Sequence, residues 1–553
     1  MSRGKRAGAV VAGLLAASYV AAGLLAPLVV DADRFRPRVE ARLSGALDRP
    51  VRLGRVRLSV WTGIVVRAGR LEVGPPKGGR AAAASLEAES VSVRLAPWPL
   101  LRGRLEIRAV SVEEGVWRAG GRILVSGVRG RAKVLSEPGE APRLRGSFRA
   151  RLDALSGDPC ETRFEATVRG DGLDLARLDV SSGPARLRAQ GEAKGIGTER
   201  CLVALRGQAT LERSRAEGSL EWRIGPRGPR VSFRVTAPMI DFDEVASFAR
   251  GGAAPGSRAS AGGWFPAAWA ADRPSPRPVL GEIEGNGTIE AARARFRRVE
   301  ATDLSAKVSL DRGAVRFEDA SFGLYGGTHR GSLSIDLGAE GAPFSLEGRI
   351  EGVDAGRLLA AALPSRGGTI QGVAGITFAI SGRGSSPAGS VRGTARAALR
   401  SGRLASVGIL KQVAEILEMA GGRGVGQDET PFDHVSASFT VESGRASTHD
   451  LEFRSADLDL DGGGTIGLDG SLRLDVLASF SRAASADLVR NTPRLEFRVD
   501  ERGRLTLPLR IRGRIEAPAV QLDLDRVIKE GLERSVRTDR TARGLLDRIF
   551  KGN

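Results

Sequence analysis

Residues 456–480 read ADLDLDGGGTIGLDGSLRLDVLASF, and Leu458, Leu460, Ile466, Leu468, Leu472, Leu474, Val476 and Phe480 all fall at even positions. The odd positions are mostly Asp, Gly, Ser, Thr and Arg, with Leu477 the exception. A period of two is that of a β-strand with one apolar and one polar face. The stretch also contains a turn, and a turn of the wrong length moves the apolar residues of the second strand to the other face. A two-residue Asp469-Gly470 loop would separate Ile466 from Leu472. A three-residue Leu468-Asp469-Gly470 loop pairs them, with Gly470 at the position that wants a left-handed backbone.

The same device recurs. Leu495, Phe497 and Val499 precede Glu501-Arg502-Gly503, and Leu505, Leu507, Leu509 and Ile511 follow, all at odd positions. Elsewhere parity flips and the loop adjusts: Val308 and Leu310 meet Val315 and Phe317 through Arg312-Gly313. Agreement between register and turn length specifies an antiparallel sheet. The 73 glycines, punctuating short alternating runs, extend the β reading to most of the 553 residues. The candidate apolar lining of that sheet is Leu458, Leu460, Ile466, Leu472, Leu474, Val476, Leu495, Phe497, Val499, Leu505, Leu507, Leu509 and Ile511.

A half-apolar sheet must cover its apolar face, and the chain offers few amphipathic helices to do so. Two solutions stay open: a sandwich packed on itself, or a curled sheet whose groove takes an acyl chain. Small residues on the apolar side (Gly462, Gly464, Ala478) and an aromatic content of only 5% favour the smooth groove. Roughly 25 strands at about 4.8 Å would make a sheet on the order of 120 Å long.

Ala7–Val30 is 24 residues without a charge, preceded by Arg3, Lys5 and Arg6. At about 1.5 Å per residue it spans roughly 36 Å, enough for one transmembrane helix. A signal peptide has a shorter apolar region, so a retained anchor is expected, although a V-x-A pattern ending at Ala32 leaves cleavage open. Arg34, Arg36, Arg38 and Arg42 follow, yet the bulk of the chain lies on that side and is expected to be exported, in a bacterium to the periplasm. The segments are then an anchor (1–30), a β region (31–250) opening with a short helix at Asp31–Leu47, a Gly/Ala/Pro-rich linker (251–279), a second β region (280–525) and a basic amphipathic helical tail (526–553). The linker carries Trp264, Phe265 and Trp269, which either fold back on the body or meet a membrane interface. Leu404–Ala420 carries a helical stripe through Val407, Leu410, Val413, Leu417 and Ala420.

The net charge of +19 comes from 84 basic residues against 65 acidic ones, and only eight of the 84 are Lys. Arg scattered along polar strand faces near Asp and Glu reads as a solvated face; the interleaved aromatics that single-stranded nucleic acid needs are missing, so no nucleic-acid partner is expected. Cys160 and Cys201 each open an alternating run, and in an oxidising compartment they could form one disulfide. Patterns for phosphate loops, nucleophile elbows and zinc helices are absent. His329, His434 and His449 are isolated. No enzyme activity, metal or cofactor is expected.

With these features in order, the chain resembles the AsmA family of bacterial envelope proteins. The resemblance rests on the anchor, LDRPVRLGRVRLSV (Leu47–Val60), VRLAPWPLLRGRLEIRAVSVEEG (Val93–Gly115), FGLYGGTHRGSLSID (Phe322–Asp336), EGVDAGRLL (Glu351–Leu359), SGRLASVGILKQVAEILEMAGG (Ser401–Gly422) and LPLRIRGRIEAPAVQLDLDRVIKEGL (Leu507–Leu532). It implies a long twisted antiparallel sheet curled into a groove, apolar inside, and kinship with the larger TamB-like lipid bridges. It further implies a bacterial inner-membrane protein with phospholipid as partner, supporting the outer membrane. A scaffold for outer-membrane or periplasmic envelope proteins is the second reading. The resemblance brings no catalytic residues.

Overall fold

The computed structural model describes residues 32–526 apart from 48, 60–63, 75–84, 103–105, 120–121, 138, 153–158, 196–200, 226–227, 250–283, 363–369, 385–386, 406–428, 468–469, 492–495, 497, 516 and 524. Over the described residues the protein is mainly β, with 27 strands and few helices. The chain divides into two compact units: residues 1–257, 277–291 and 309–313, and residues 258–276, 292–308 and 314–553.

The first unit opens with a 3₁₀ turn (Ala32–Phe35) and helix α1 (Arg36–Leu47). Short strands follow: β1 (Val51–Leu53), β2 (Val56–Ser59), β3 (Val65–Ala68) and β4 (Leu71–Val73). β5 (Ser85–Leu95) takes β4 along one half of an edge and β3 along the other, while β1 extends β4 and β2 extends β3. After helix α2 (Pro97–Leu101) the strands lengthen and pair in sequence order: β6 (Ile107–Ala119), β7 (Arg122–Leu135), β8 (Arg143–Leu152), β9 (Cys160–Arg169) and β10 (Gly172–Ser182). β11 (Ala185–Lys194), β12 (Leu202–Thr210), β13 (Arg215–Gly225) and β14 (Gly228–Asp241) continue that order, and α3 (Phe242–Ala249) ends the run. β15 (Glu284–Phe296) and β16 (Val299–Asp311) have residues in both units.

The second unit is another sequential antiparallel run. It holds β17 (Ala314–Leu324), β18 (Gly327–Asp336), β19 (Pro343–Asp354), helix α4 (Ala355–Ala362), β20 (Ile370–Arg383), α5 (Pro387–Ser390) and β21 (Arg392–Ala405). Then come β22 (Glu429–Glu442), β23 (Arg445–Arg454), β24 (Leu458–Gly467), β25 (Ser471–Phe480), helix α6 (Arg482–Asn491), β26 (Thr506–Arg514) and β27 (Ala517–Leu522).

The turns carry the register that the sequence demands. Ile466 pairs with Leu472, and the Gly470 amide donates to the Gly467 carbonyl (2.9 Å) with Gly470 at φ +90°. Val499 pairs with Leu505 around Gly503, at φ +74°. Asp500 Oδ1 accepts the Arg502 and Arg504 amides, both at 2.9 Å, and these bonds hold its carboxyl below its ordinary range. Arg312 and Gly313 both have positive φ, the signature of a two-residue type I′ turn. Of the expected strand before Glu501 the described residues show the Val499 bridge, and Leu495 and Phe497 lie outside the described residues. Leu404 and Ala405 close β21 rather than starting a helix; the rest of that stripe lies outside the described residues. The linker and the tail beyond Arg526 lie outside them too. Among the described residues no helix is long and apolar enough to cross a membrane, and Ala7–Val30 is not among them.

Glycines let neighbouring strands approach where a side chain lies flat across them. Phe148 pairs with Gly130, Phe164 with Gly146, Phe378 with Gly348, and Phe432 with Gly402. A Cβ on Gly146 would sit 2.5 Å from the Phe164 ring, and one on Gly207 would meet the Ala189 backbone at 2.8 Å. Gly207→Ala is therefore expected to destabilise the first unit by about 1–3 kcal/mol, as overpacking does. Gly45→Ala in α1, where a Cβ meets nothing within 4 Å, should be neutral or stabilising by up to about 1 kcal/mol. Urea midpoints of the two variants check the contrast.

Candidate functional site

The apolar residues proposed from the sequence come together at the C-terminal end of the second unit. Leu458, Leu460, Leu474, Val476, Leu505, Leu507, Leu509 and Ile511 are buried in one cluster with Phe432, Phe453, Phe480 and Val520. Ile466, Leu472 and Val499 pack against it, partly buried. The cover includes α6, whose Ala484 and Leu488 lie on the cluster. Ser481 caps the helix, its Oγ accepting the Ala484 amide (3.2 Å). The Leu505 amide donates to the buried Ser485 Oγ (2.7 Å), and Arg482 Nε donates to the Arg502 carbonyl (2.7 Å). These bonds fix the helix over the strands, and the residues beneath it are packed core.

The first unit shows the other condition. Its ladders align apolar residues row by row across β8 to β14. One row runs Leu144, Ala166, Leu175, Gly191, Leu205, Leu220 and Phe233. The next runs Gly146, Phe164, Leu178, Ala189, Gly207, Gly218 and Val235. Phe148 and Phe164 stack with ring centres 5.4 Å apart. The alanines here, Ala166 and Ala189, are buried, but several large residues of the same face are not: Leu187 and Leu220 are 36% exposed and Ile224 42%. The sequence signal was present in RLRGSFRARL (Arg143–Leu152), whose burial alternates at every residue, but so many strands alternate that it did not single this face out.

The opposite side of the strands is charged. Arg145 meets Glu165 (3.0 Å), Arg349 meets Glu351 (2.6 Å) and Arg512 meets Asp475 (2.6 Å). Such exposed pairs add little stability each; they offset part of the arginine charge. A depression of about 1410 Å³ lies on this side of the second unit, with Arg330, Arg349 and Arg396 facing Asp319, Glu347 and Asp450. Its mixed charge suits water and ions rather than acyl chains.

His329 on β18 faces the apolar side of the second unit, paired with Phe322 and Ile350 and stacked at 4.4 Å on Phe322. It is buried, and its Nδ1 has no hydrogen-bond partner among the described residues. Burial pushes its pKa below the ordinary histidine value of 6.5.

Cys160 and Cys201 are free thiols, Cys160 buried. This corrects the disulfide expectation. Cys160 opens β9 and Cys201 precedes β12, three strands away. Three spacings of about 4.8 Å exceed the roughly 7 Å Cα limit of a disulfide. Trp264, Phe265 and Trp269 lie outside the described residues.

Residues 269–451 match the family model described as the AsmA family. The match spans β15 to β22 and enters β23, so the resemblance read from the sequence holds over that stretch. Comparison with curated proteins found no match.

Leu507→Asp is expected to cost more than about 3 kcal/mol and unfold the C-terminal cluster, because it buries an unpaired charge. Leu220→Asp, on the open face, should cost less than about 1 kcal/mol; near-ultraviolet circular dichroism and urea melts separate the two. For His329, protonation favours the unfolded chain. Stability of the second unit should therefore be flat above about pH 7 and decline as pH falls through the ordinary histidine value, with a slope of at most about 1.4 kcal/mol per pH unit. His329→Phe should remove that slope relative to the unaltered chain, as urea midpoints at pH 5, 6 and 7 would show.

Proposed function

We propose, from the AsmA family match as premise, that this is a periplasmic lipid-handling protein anchored in the bacterial inner membrane by residues 7–30. Its open apolar sheet face carries phospholipid acyl chains and so supports lipid homeostasis of the outer membrane. No bond is made or broken: the protein lowers the cost of moving an acyl chain through water by lending it an apolar surface. Neither metal nor cofactor takes part.

The observation that carries this reading is the contrast between the two apolar faces. Under α6 the leucines are sealed, whereas on β8–β14 side chains of the same type stay partly exposed. Contiguous exposed apolar surface of this kind marks a binding face. Seven strands have six spacings, about 29 Å at 4.8 Å each. One leaflet's acyl chains occupy about 15 Å, half of a roughly 30 Å hydrocarbon core, so the face is long enough for a lipid lying across the strands. The curled groove of the sequence reading belongs to this proposal, its wall being the row from Leu144 to Phe233.

A second reading, an envelope assembly scaffold, draws on the self-packed C-terminal cluster, which presents only its polar side to partners.

The test is mass spectrometry of lipid extracted from the gently solubilised full-length chain. Phospholipid should accompany the protein in stoichiometric amount and fall at least twofold in a folded Leu187→Asp/Leu220→Asp variant. Equal lipid in both would remove the β8–β14 face as the carrier, and an empty, folded protein would leave the scaffold.

A further inference from the structure

Helix α1 and the 3₁₀ turn before it offer three apolar side chains to solvent at a spacing of four: Phe35, the last residue of the turn, is 52% exposed, Val39 41% and Leu43 37%. At 100° per residue they form one stripe, about 80° wide. The far side of the same segment is fastened to the sheet. The Val56 amide donates to Asp33 Oδ1 (3.0 Å), the Leu53 amide to Glu40 Oε1 (2.7 Å) and the Val51 amide to Ser44 Oγ (2.9 Å). On the helical wheel these three acceptors lie about 100–140° around from the centre of the stripe, so the helix cannot roll to bury it without breaking them.

Charge completes the pattern. On the helical wheel Arg36 borders the stripe on one side, and Arg38 and Arg42 on the other. Arg36 is 3.9 Å from Asp33, a pair exposed on both partners. The uncharged run Ala7–Val30 ends two residues before the 3₁₀ turn begins. A helix with an apolar stripe rimmed by arginines, so close to an apolar segment long enough to span a bilayer, matches one kind of surface: the interface of an anionic bilayer, apolar at acyl depth and negative at the headgroups.

We propose that α1 is a membrane seat, lying in the headgroup layer with Phe35, Val39 and Leu43 turned into the lipid and Arg38 and Arg42 on anionic headgroups. The proposal rests on the anchor reading and goes beyond it. A bare anchor would leave the sheet free to swing on a tether, whereas a seated α1, bonded through Asp33, Glu40 and Ser44 to the first two strands, sets those strands at the membrane surface. Lipid could then enter the sheet at a fixed height.

The full-length chain, with Cys160→Ala and Cys201→Ser, is given one cysteine by Val39→Cys, labelled with an environment-sensitive fluorophore and reconstituted into vesicles. One set is phosphatidylcholine alone and the other contains about a third phosphatidylglycerol. Both carry a lipid with a spin label high on its acyl chain as quencher. A second labelled variant, Arg188→Cys on the polar side of β11, is the control. Position 39 should be quenched at least twofold more than position 188, and more strongly in the anionic vesicles. Arg38→Glu/Arg42→Glu should bring the anionic value down to the phosphatidylcholine one.

Protein that floats with the vesicles but is quenched equally at both positions overturns the seat and leaves the anchor standing. Protein that does not float overturns both. A disulfide-linked dimer of unlabelled Val39→Cys chains at high yield in the vesicles assigns the stripe to a second copy and also overturns the seat.

Discussion

Everything in this fold depends on backbone hydrogen bonds between strands that are neighbours in the chain, with every turn constrained to keep the apolar side chains on one face. The side-chain period of a strand is two, so an error of one residue in any turn would send all the leucines of the next strand to the charged side. Among the tight turns the molecule meets the constraint with two kinds of loop. Two-residue turns such as Tyr325-Gly326 and Ser443-Gly444, both with positive φ at each position, join strands in one parity. Three-residue turns closed by Gly470 or Gly503 join strands in the other. Where a ladder slips, the extra residue is absorbed by a bulge with a left-handed residue, as at Glu114 in β6, Asp319 in β17 and Ser401 in β21.

The apolar faces built in this way differ in what lies over them. In the second unit α6 and a set of phenylalanines seal the end formed by β24 to β26. In the first unit the face of β8–β14 keeps its large side chains partly exposed, with buried alanines and unsubstituted glycines between them. One pattern of alternation thus makes two kinds of surface, and a helix of ten residues is part of the cover that distinguishes them.

That helix explains why the strands were legible in the sequence and the site was not. Strands declare themselves locally: Leu458, Leu460 and Ile466 alternate, and Gly470 names its own turn. Burial depends on what arrives from elsewhere. Arg482–Asn491 reads RAASADLVRN, too polar and too short to stand out by its apolar period. Its signals are the Ser481 cap and the pair Ala484 and Leu488, four apart, and these say that a helix forms without saying where it docks. The described leucines proposed as groove lining were therefore right in register and fall in or against packed core, while the exposed Leu187 and Leu220, on different rows of one face, went unmarked among many alternating strands. The cysteines illustrate the same limit, since both open strands and only the strand count between β9 and β12 shows them out of reach of one another.

The sequential ladders have a consequence for how such a chain changes length. Within either unit nearly every long strand bonds only to its predecessor and successor, so a hairpin inserted at a turn would disturb a single ladder. It would add two strands, about 9.6 Å of sheet, and a pair of strands restores both direction and parity. The apolar rows would run on unbroken through the addition. Length in this architecture is thus a quantity that can be counted in hairpins, and a ruler graduated in steps of that size can be extended or cut back without redesigning the parts already made.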